Sequence, residues 1–172
     1  MATNAPIDLG GAGTTVATTG AYDRLRILTT YKTIAMVGLS SDLYRPSAFA
    51  AIYMLSYGYD IIPINPRYAG KEILGQKVYG SLADIPRPVE IVDVFRRAEE
   101  APDLAKQAID IGAKVFWLQL GIENEEAGRI AREGGLEFVQ NRCVKIEHAR
   151  FFGGLNLVGM NTGVITSRRT IG

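Results

Sequence analysis

Five short segments of this chain carry residue types able to do chemistry, and each follows a run of apolar residues. The first reads Gly38-Leu39-Ser40-Ser41-Asp42-Leu43-Tyr44-Arg45-Pro46-Ser47. A small-residue turn running into a helix presents backbone N–H groups to a phosphate. Ser40, Ser41 and Ser47 add hydroxyls and Arg45 adds a charge. The same residues also suit a tight turn with Ser47 as helix cap. Neither the G-x-G-x-x-G fingerprint nor the phosphate-binding lysine loop of nucleoside triphosphatases is present.

The second segment, Asn65-Pro66-Arg67, is the most informative. A dinucleotide site that takes a free ribose places an acid there, to accept hydrogen bonds from the hydroxyls. A guanidinium instead grips a phosphate by two parallel hydrogen bonds. Arg67 therefore fits a phosphorylated adenosine ribose, as in NADP or coenzyme A; the plainer alternative is a solvated surface arginine. The third segment, Val94-Phe95-Arg96-Arg97, offers an aromatic ring for an adenine or a pantetheine arm, and positive field near a pyrophosphate. Here the alternative is a core phenylalanine with two solvated arginines. In the fourth, Gln119-Leu120-Gly121-Ile122, Gln119 either ends a strand or points at a ligand, and Gly121 permits close backbone approach.

The fifth, around residues 140–148, holds Cys143 and His148, the only cysteine and only histidine. A Cys–His dyad needs hydrogen-bond reach and a third group to orient the base, and neither is visible. A lone cysteine is more often a small buried hydrophobe. Thiol exchange at Cys143 requires an exposed thiolate of lowered pKa. Asp42, Asp93 and Glu123 are scattered, with no paired-carboxylate spacing.

The elements that must position these segments follow from periodicity. Ala21–Tyr31 reads as a helix, Thr33–Leu39 as a buried strand, and Pro46–Tyr57 as a helix stopped by Gly58. Tyr59–Ile64 is a second strand, with Pro63 as a warning, since proline belongs at an edge or a strand end. Residues 65–89 form a long connection with a short helix near Leu82–Ile85. Strands at Glu90–Phe95, Lys114–Leu118 and Leu136–Val139 then alternate with helices at Ala101–Ile111 and Glu123–Glu133. This alternation predicts an α/β, Rossmann-like, doubly wound parallel sheet of about five strands in three layers, in the order third-second-first-fourth-fifth. Ligands in such sheets bind beyond the carboxyl ends of the strands. Residues 1–20 and 152–172 read as extensions of a domain spanning 21–151, the first of them flexible or held by a partner.

Nineteen basic against 18 acidic residues give a net charge of +1, which disfavours a dedicated nucleic-acid or membrane-surface binder. One cysteine and one histidine make neither an internal disulfide nor a Cys/His zinc site. With no apolar run of membrane length and no secretory signal, a cytoplasmic location is expected.

From about Thr33 to Phe151 the chain resembles the CoA-binding domain family, in particular its stand-alone bacterial and archaeal members. The landmarks are IAMVGLSSDLYRPS (34–47), GYDIIPINPRYAGKEILGQKVYGSLADIP (58–86), VDVFRR (92–97), VFWLQLGIENEEA (115–127) and GLEFVQNRCVKIEHARF (135–151). The layout is also similar to the N-terminal domain of the succinyl-CoA synthetase α subunit. There, a Gly-rich turn, Asn-Pro-Lys, G-x-P-V-[FY] and an acidic-glycine turn surround CoA. Their places are held here by Gly38–Ser41, Asn65-Pro66-Arg67, Gly75–Tyr79 and Gln119-Leu120-Gly121. The ligase's second domain and its phosphohistidine have no counterpart, so the resemblance does not imply ligase activity.

The resemblance implies non-catalytic binding of coenzyme A or an acyl-CoA. On this reading the 38–47 turn holds the pyrophosphate, and Arg67 with the Asn65-Pro66 backbone holds the phosphorylated ribose. Val94 and Phe95 wall the adenine, Arg96 and Arg97 add charge, and Gln119 and Gly121 border the pantetheine path. The competing readings are an NADP-dependent oxidoreductase and an interaction module that has lost its ligand. A homodimer is left open.

Overall fold

The computed structural model describes residues 19–152; of the two expected extensions, 1–18 and 153–172 lie outside the described residues. Five apolar runs become the strands of one parallel sheet: β1 (Thr33–Val37), β2 (Asp60–Ile64), β5 (Ile91–Val94), β6 (Val115–Leu118) and β7 (Glu137–Val139). Helices α1 (Ala21–Thr30), α2 (Pro46–Ser56), α3 (Ala101–Asp110), α4 (Glu125–Glu133) and α5 (Val144–Phe152) flank it. The connection after β2 holds a small antiparallel hairpin, β3 (Glu72–Ile73) with β4 (Gln76–Lys77). It also holds 3₁₀ turns at Pro66–Tyr68 and Leu82–Asp84; a third, Ala98–Glu100, precedes α3.

Alternation along each strand sorts the core into two halves. Ala35, Val37, Ile62, Val92, Val94, Phe116 and Phe138 face α3 and α4. Ile34, Met36, Ile61, Ile91, Val115, Trp117 and Val139 face α1, α2 and α5. The alanines of α3 and α4 (Ala101, Ala105, Ala108, Ala127, Ala131) let these helices lie close to the sheet.

The strand order is β2-β1-β5-β6-β7, that is, second-first-third-fourth-fifth. This corrects the expected third-second-first-fourth-fifth arrangement, and Pro63 supplies the reason. Residues of β2 alternate between the two sides of the ladder. Asp60 N–H donates to the Lys32 carbonyl at 2.9 Å, and the Ile64 carbonyl accepts from Gly38 N–H at 2.8 Å, so these residues face β1. Pro63 faces the other way, where it has no N–H to give. An interior β2 would need that donor for a second strand; an edge β2 does not. The outward Pro63 carbonyl instead accepts from Tyr79 N–H at 3.0 Å, which ties the long connection back onto the edge.

Helix α5 was not expected. Its buried positions are Val144, Glu147 and His148, so polar residues occupy most of its core-facing stripe and no apolar period shows. Those polar groups are paired. Glu147 Oε2 accepts from Arg24 Nε of α1 at 2.8 Å, with both side chains almost fully buried. His148 Nδ1 lies 3.1 Å from Tyr53 Oη of α2, among the rings of Tyr57, Tyr59 and Phe152.

Removing one partner of a buried pair leaves the other charge uncompensated. Glu147→Ala should therefore cost about 3 kcal/mol of unfolding free energy in a urea titration. A loss under about 0.5 kcal/mol, the level of a surface change, would show that Arg24 is solvated instead.

Candidate functional site

The chain leaves β1 for α2 on one face and leaves β5 for α3 on the other. β1 and β5 are hydrogen-bonded neighbours, so the connections diverge above their carboxyl ends and leave a crevice there. In the expected order the crevice would have opened between β1 and the strand of Val115–Leu118. The observed order brings the Gly38 turn beside Phe95 and Arg96, and sets Gln119 one strand further away.

The turn after β1 is fastened by its own polar groups. Ser40 N–H donates to Ser47 Oγ at 3.2 Å, Asp42 N–H to Ser40 Oγ at 3.1 Å and Tyr44 N–H to Asp42 Oδ1 at 3.0 Å. Ser47 thus braces the turn; Arg45 occupies the N-cap position of α2 without a side-chain cap bond. Gly38 has φ +90°, and a Cβ there would lie 2.9 Å from Arg96 Cδ, so only glycine lets the Arg96 stem cross the turn. Asn65 is buried and uses both ends of its amide. Nδ2 donates to the Leu39 carbonyl at 2.9 Å and Oδ1 accepts from Arg67 N–H at 3.1 Å. Asn65 thereby locks the end of β2 to the turn after β1 and holds the Arg67 backbone in place.

Three cavities meet at this crevice. A cleft of about 510 Å³ is lined by Gly38, Ser40, Asp42, Arg45, Pro46, Ser47, Asn65, Arg67, Tyr68, Phe95 and Arg96. Three guanidiniums against one lining carboxylate, Asp42, whose Oδ2 lies 3.6 Å from Arg45 Nε, give this cleft a positive balance of charge. A second cavity of about 510 Å³ shares Pro46 and Phe95 with the first. Its walls are mainly apolar (Tyr44, Phe49, Leu120, Ile122, Ile146), with Gln119, Cys143 and Lys145 as the polar lining. A smaller one, about 270 Å³, lies on the α3 side and shares Gly38, Asn65 and Arg96 with the arginine-lined cleft. Its other walls are Val37, Ile64, Pro66, Gly80–Leu82, Glu100, Leu104 and Gln107.

The remaining expected site residues lie elsewhere. Val94 is wholly buried in the core facing α3 and α4 and lines none of these cavities. Ser41 and Arg97 are exposed outside the cavity walls. Gly121 turns the chain after β6 at φ +84°, and its N–H donates to Asn141 Oδ1 at 2.8 Å. Residues 80–82 and 100–107 were not anticipated. They arrive through the Tyr79–β2 bridge and through α3 with the turn before it, and the sequence signal for the first group was the landmark over 58–86 quoted above.

Gln119 ties the floor of the apolar cavity together. Its Nε2 donates to Asp93 Oδ1 at 2.6 Å, and its Oε1 accepts from Val144 N–H at 3.3 Å. Asp93 is fully buried, and its Oδ2 has no hydrogen-bond partner among the described residues. Burial pushes its carboxyl up to about 7, against the opposing pull of the Gln119 hydrogen bond. Cys143 is half-buried, and burial raises its thiol above the usual value. Burial lowers His148. His148 faces Tyr53, and no hydrogen bond joins it to Cys143.

Residues 32–149 match the model of the family described as CoA binding domain. The chain is 42% identical over 123 residues to the uncharacterized protein YneT of Bacillus subtilis (strain 168), covering 72% of this chain and 90% of that protein. A hypothetical protein of Pyrococcus horikoshii OT3 superposes with a TM-score of 0.73 at 41% identity, over 87% of this chain and 98% of that one. The fold is also shared with an acetyl-coenzyme A synthetase of Ca. Korarchaeum cryptofilum, at a TM-score of 0.57 and 24% identity. That match covers 64% of this chain and 26% of the synthetase.

The Asp93 shift sets a pH dependence. Its folded-state pKa lies above the unfolded value, so the native state holds the proton longer. The contribution of Asp93 to stability should fall as pH rises from about 4 to about 7 and level off above that, while the lowered His148 works in the opposite direction. Asp93→Asn removes the ionisation and should raise stability by a few kcal/mol at pH 8, with the gain shrinking towards pH 4. Thermal melts of both proteins across that range check it, and a gain independent of pH would contradict the assignment.

Proposed function

The chain belongs to the CoA-binding domain family, and on that premise we propose that it binds coenzyme A or an acyl-CoA in the crevice above β1 and β5 without catalysing a reaction on it. One observation carries this reading: an arginine-lined cleft lies between a small cavity and a large apolar one, joined to each by shared residues. Coenzyme A has the same order of parts, an adenosine, a run of phosphates and a pantetheine arm.

The adenine enters the 270 Å³ cavity, between the aliphatic side chains of Val37, Ile64 and Leu82 and the polar groups of Ser81 and Gln107. This replaces the Val94 wall expected from the sequence. The diphosphate lies against the 38–47 turn, Arg45 and Arg96. Arg67, held by Asn65, takes the ribose phosphate through its fork of donors. The pantetheine arm passes between Pro46 and Phe95 into the apolar cavity, towards Gln119 and Cys143. The non-catalytic part of the reading is supported by a thiol that burial keeps protonated and a histidine turned to Tyr53. An interaction module without a ligand is disfavoured by a crevice that stands open.

Calorimetric titration of ligand-stripped protein with coenzyme A, dephospho-CoA and NADP tests the proposal. Coenzyme A should bind, dephospho-CoA more weakly, and NADP not at all. Heat from NADP alone would move the function to nicotinamide chemistry; heat from none of the three would move it to a protein partner. Arg67→Glu places repulsion where the phosphate sits. It should weaken coenzyme A by about 30-fold or more and dephospho-CoA by less than about 3-fold. Equal losses for the two ligands would remove Arg67 from the phosphate site.

A further inference from the structure

One carboxylate is shared by Arg96, which lines the crevice, and Arg97, which lies exposed outside its walls. Glu100 closes the 3₁₀ turn ahead of α3. Its Oε2 accepts from Arg96 Nε at 2.9 Å and its Oε1 from Arg97 Nε at 3.4 Å. Both contacts use the inner nitrogen of the guanidinium. The outer Nη groups of Arg96 and Arg97 make no hydrogen bond among the described residues. Arg96 is restrained a second time, because its stem lies across Gly38, where a Cβ would come within 2.9 Å of Cδ. It is also the one arginine that lines both the arginine-lined cleft and the 270 Å³ cavity. Burial pushes the Glu100 carboxyl up, but the two guanidiniums outweigh it and hold the group below its usual range. Glu100 is therefore a carboxylate, and it stands at the wall of a site read as one for a polyanion.

An acid there opposes ligand binding by charge alone. Exposed ion pairs of this kind also add little to stability. We propose that Glu100 is a positioning residue for diphosphate recognition: it holds Arg96 by its inner nitrogen and turns its outer edge to the ligand where it passes from one cavity to the next, with Arg97 bracing the carboxylate from outside the cavity walls. The inference rests on the coenzyme A reading of the crevice. Its physical content is preorganisation. A free arginine side chain loses rotamer freedom when it grips a phosphate, and a side chain already held loses less.

Coulombic repulsion and preorganisation predict opposite signs, which makes the test decisive. The full chain carrying Glu100→Ala is titrated with coenzyme A and with dephospho-CoA at fixed salt, alongside the unsubstituted protein. Positioning predicts about 10-fold weaker binding of both ligands, because both carry the diphosphate, with an unchanged melting temperature. Glu100→Gln should lie between, since its single amide oxygen can hold one inner nitrogen. With Arg96 and Arg97 both changed to alanine, adding Glu100→Ala should leave affinity equal or tighter, as only the repulsion remains to be removed. Equal or tighter binding by Glu100→Ala alone overturns the inference. So does the same loss in the background lacking both arginines, which would mark a general disturbance of the loop. If the unsubstituted chain binds neither ligand, the coenzyme A reading itself falls, and that result precedes any substitution.

Discussion

The crevice exists because two adjacent parallel strands send their chains to opposite faces of the sheet. β1 leads into α2 and β5 into α3, and the two connections cannot cover the strand ends that lie between them. The arginine-lined cleft opens at that divergence, with the end of β2 adding Asn65, Arg67 and Tyr68. Gly38, Asn65 and Arg96 come from three different strand ends and meet at one point, where they line two cavities together. The divergence depends in turn on β2 lying at the edge of the sheet. There, the missing donor of Pro63 faces the long connection and not a second strand.

Charge at the site is local. The chain as a whole carries a net charge of +1, yet Arg45, Arg67 and Arg96 converge on a cleft with one lining carboxylate, Asp42. Glu100 holds Arg96 and Asp42 lies 3.6 Å from Arg45, while other buried or paired acids are engaged elsewhere. Asp93 lies under the apolar cavity, bonded to Gln119. Glu147 is taken by Arg24, and Asp60 by Arg87 at the start of β2. This separation gives one short fold an arginine-lined cleft beside an apolar cavity. The small residues of the turn after β1 let its backbone lie close to the Arg96 stem.

Much of this was legible in the amino-acid order. Apolar runs of four to seven residues marked all five strands of the sheet to within two residues of their ends, because parallel strands buried on both faces are largely apolar, with Asp93 as the buried exception. Arg67 stood out because an acid is the usual residue where a free ribose binds, and a change of charge sign at such a position is a chemical statement in itself. Helix α5 was illegible for the converse reason. Its inward face is built from Glu147 and His148, which are satisfied by Arg24 and Tyr53, residues over 90 positions away. A periodic count of apolar residues has no access to such partners.

The sequence by itself determined the class of fold, the strands, the turn after β1 and the charge at position 67, because each rests on residues close together in the chain. The tertiary structure alone decided the strand order, and with it which strand ends share a crevice. Pro63 carried the clue, but a proline marks an edge only once the neighbours of its strand are known. It likewise decided that Val94 is core, that Gly80–Leu82 and Glu100 are walls, and that Gln119 holds Asp93. Those outcomes depend on long-range pairings, whose geometry is set when the sheet closes and not by any local propensity.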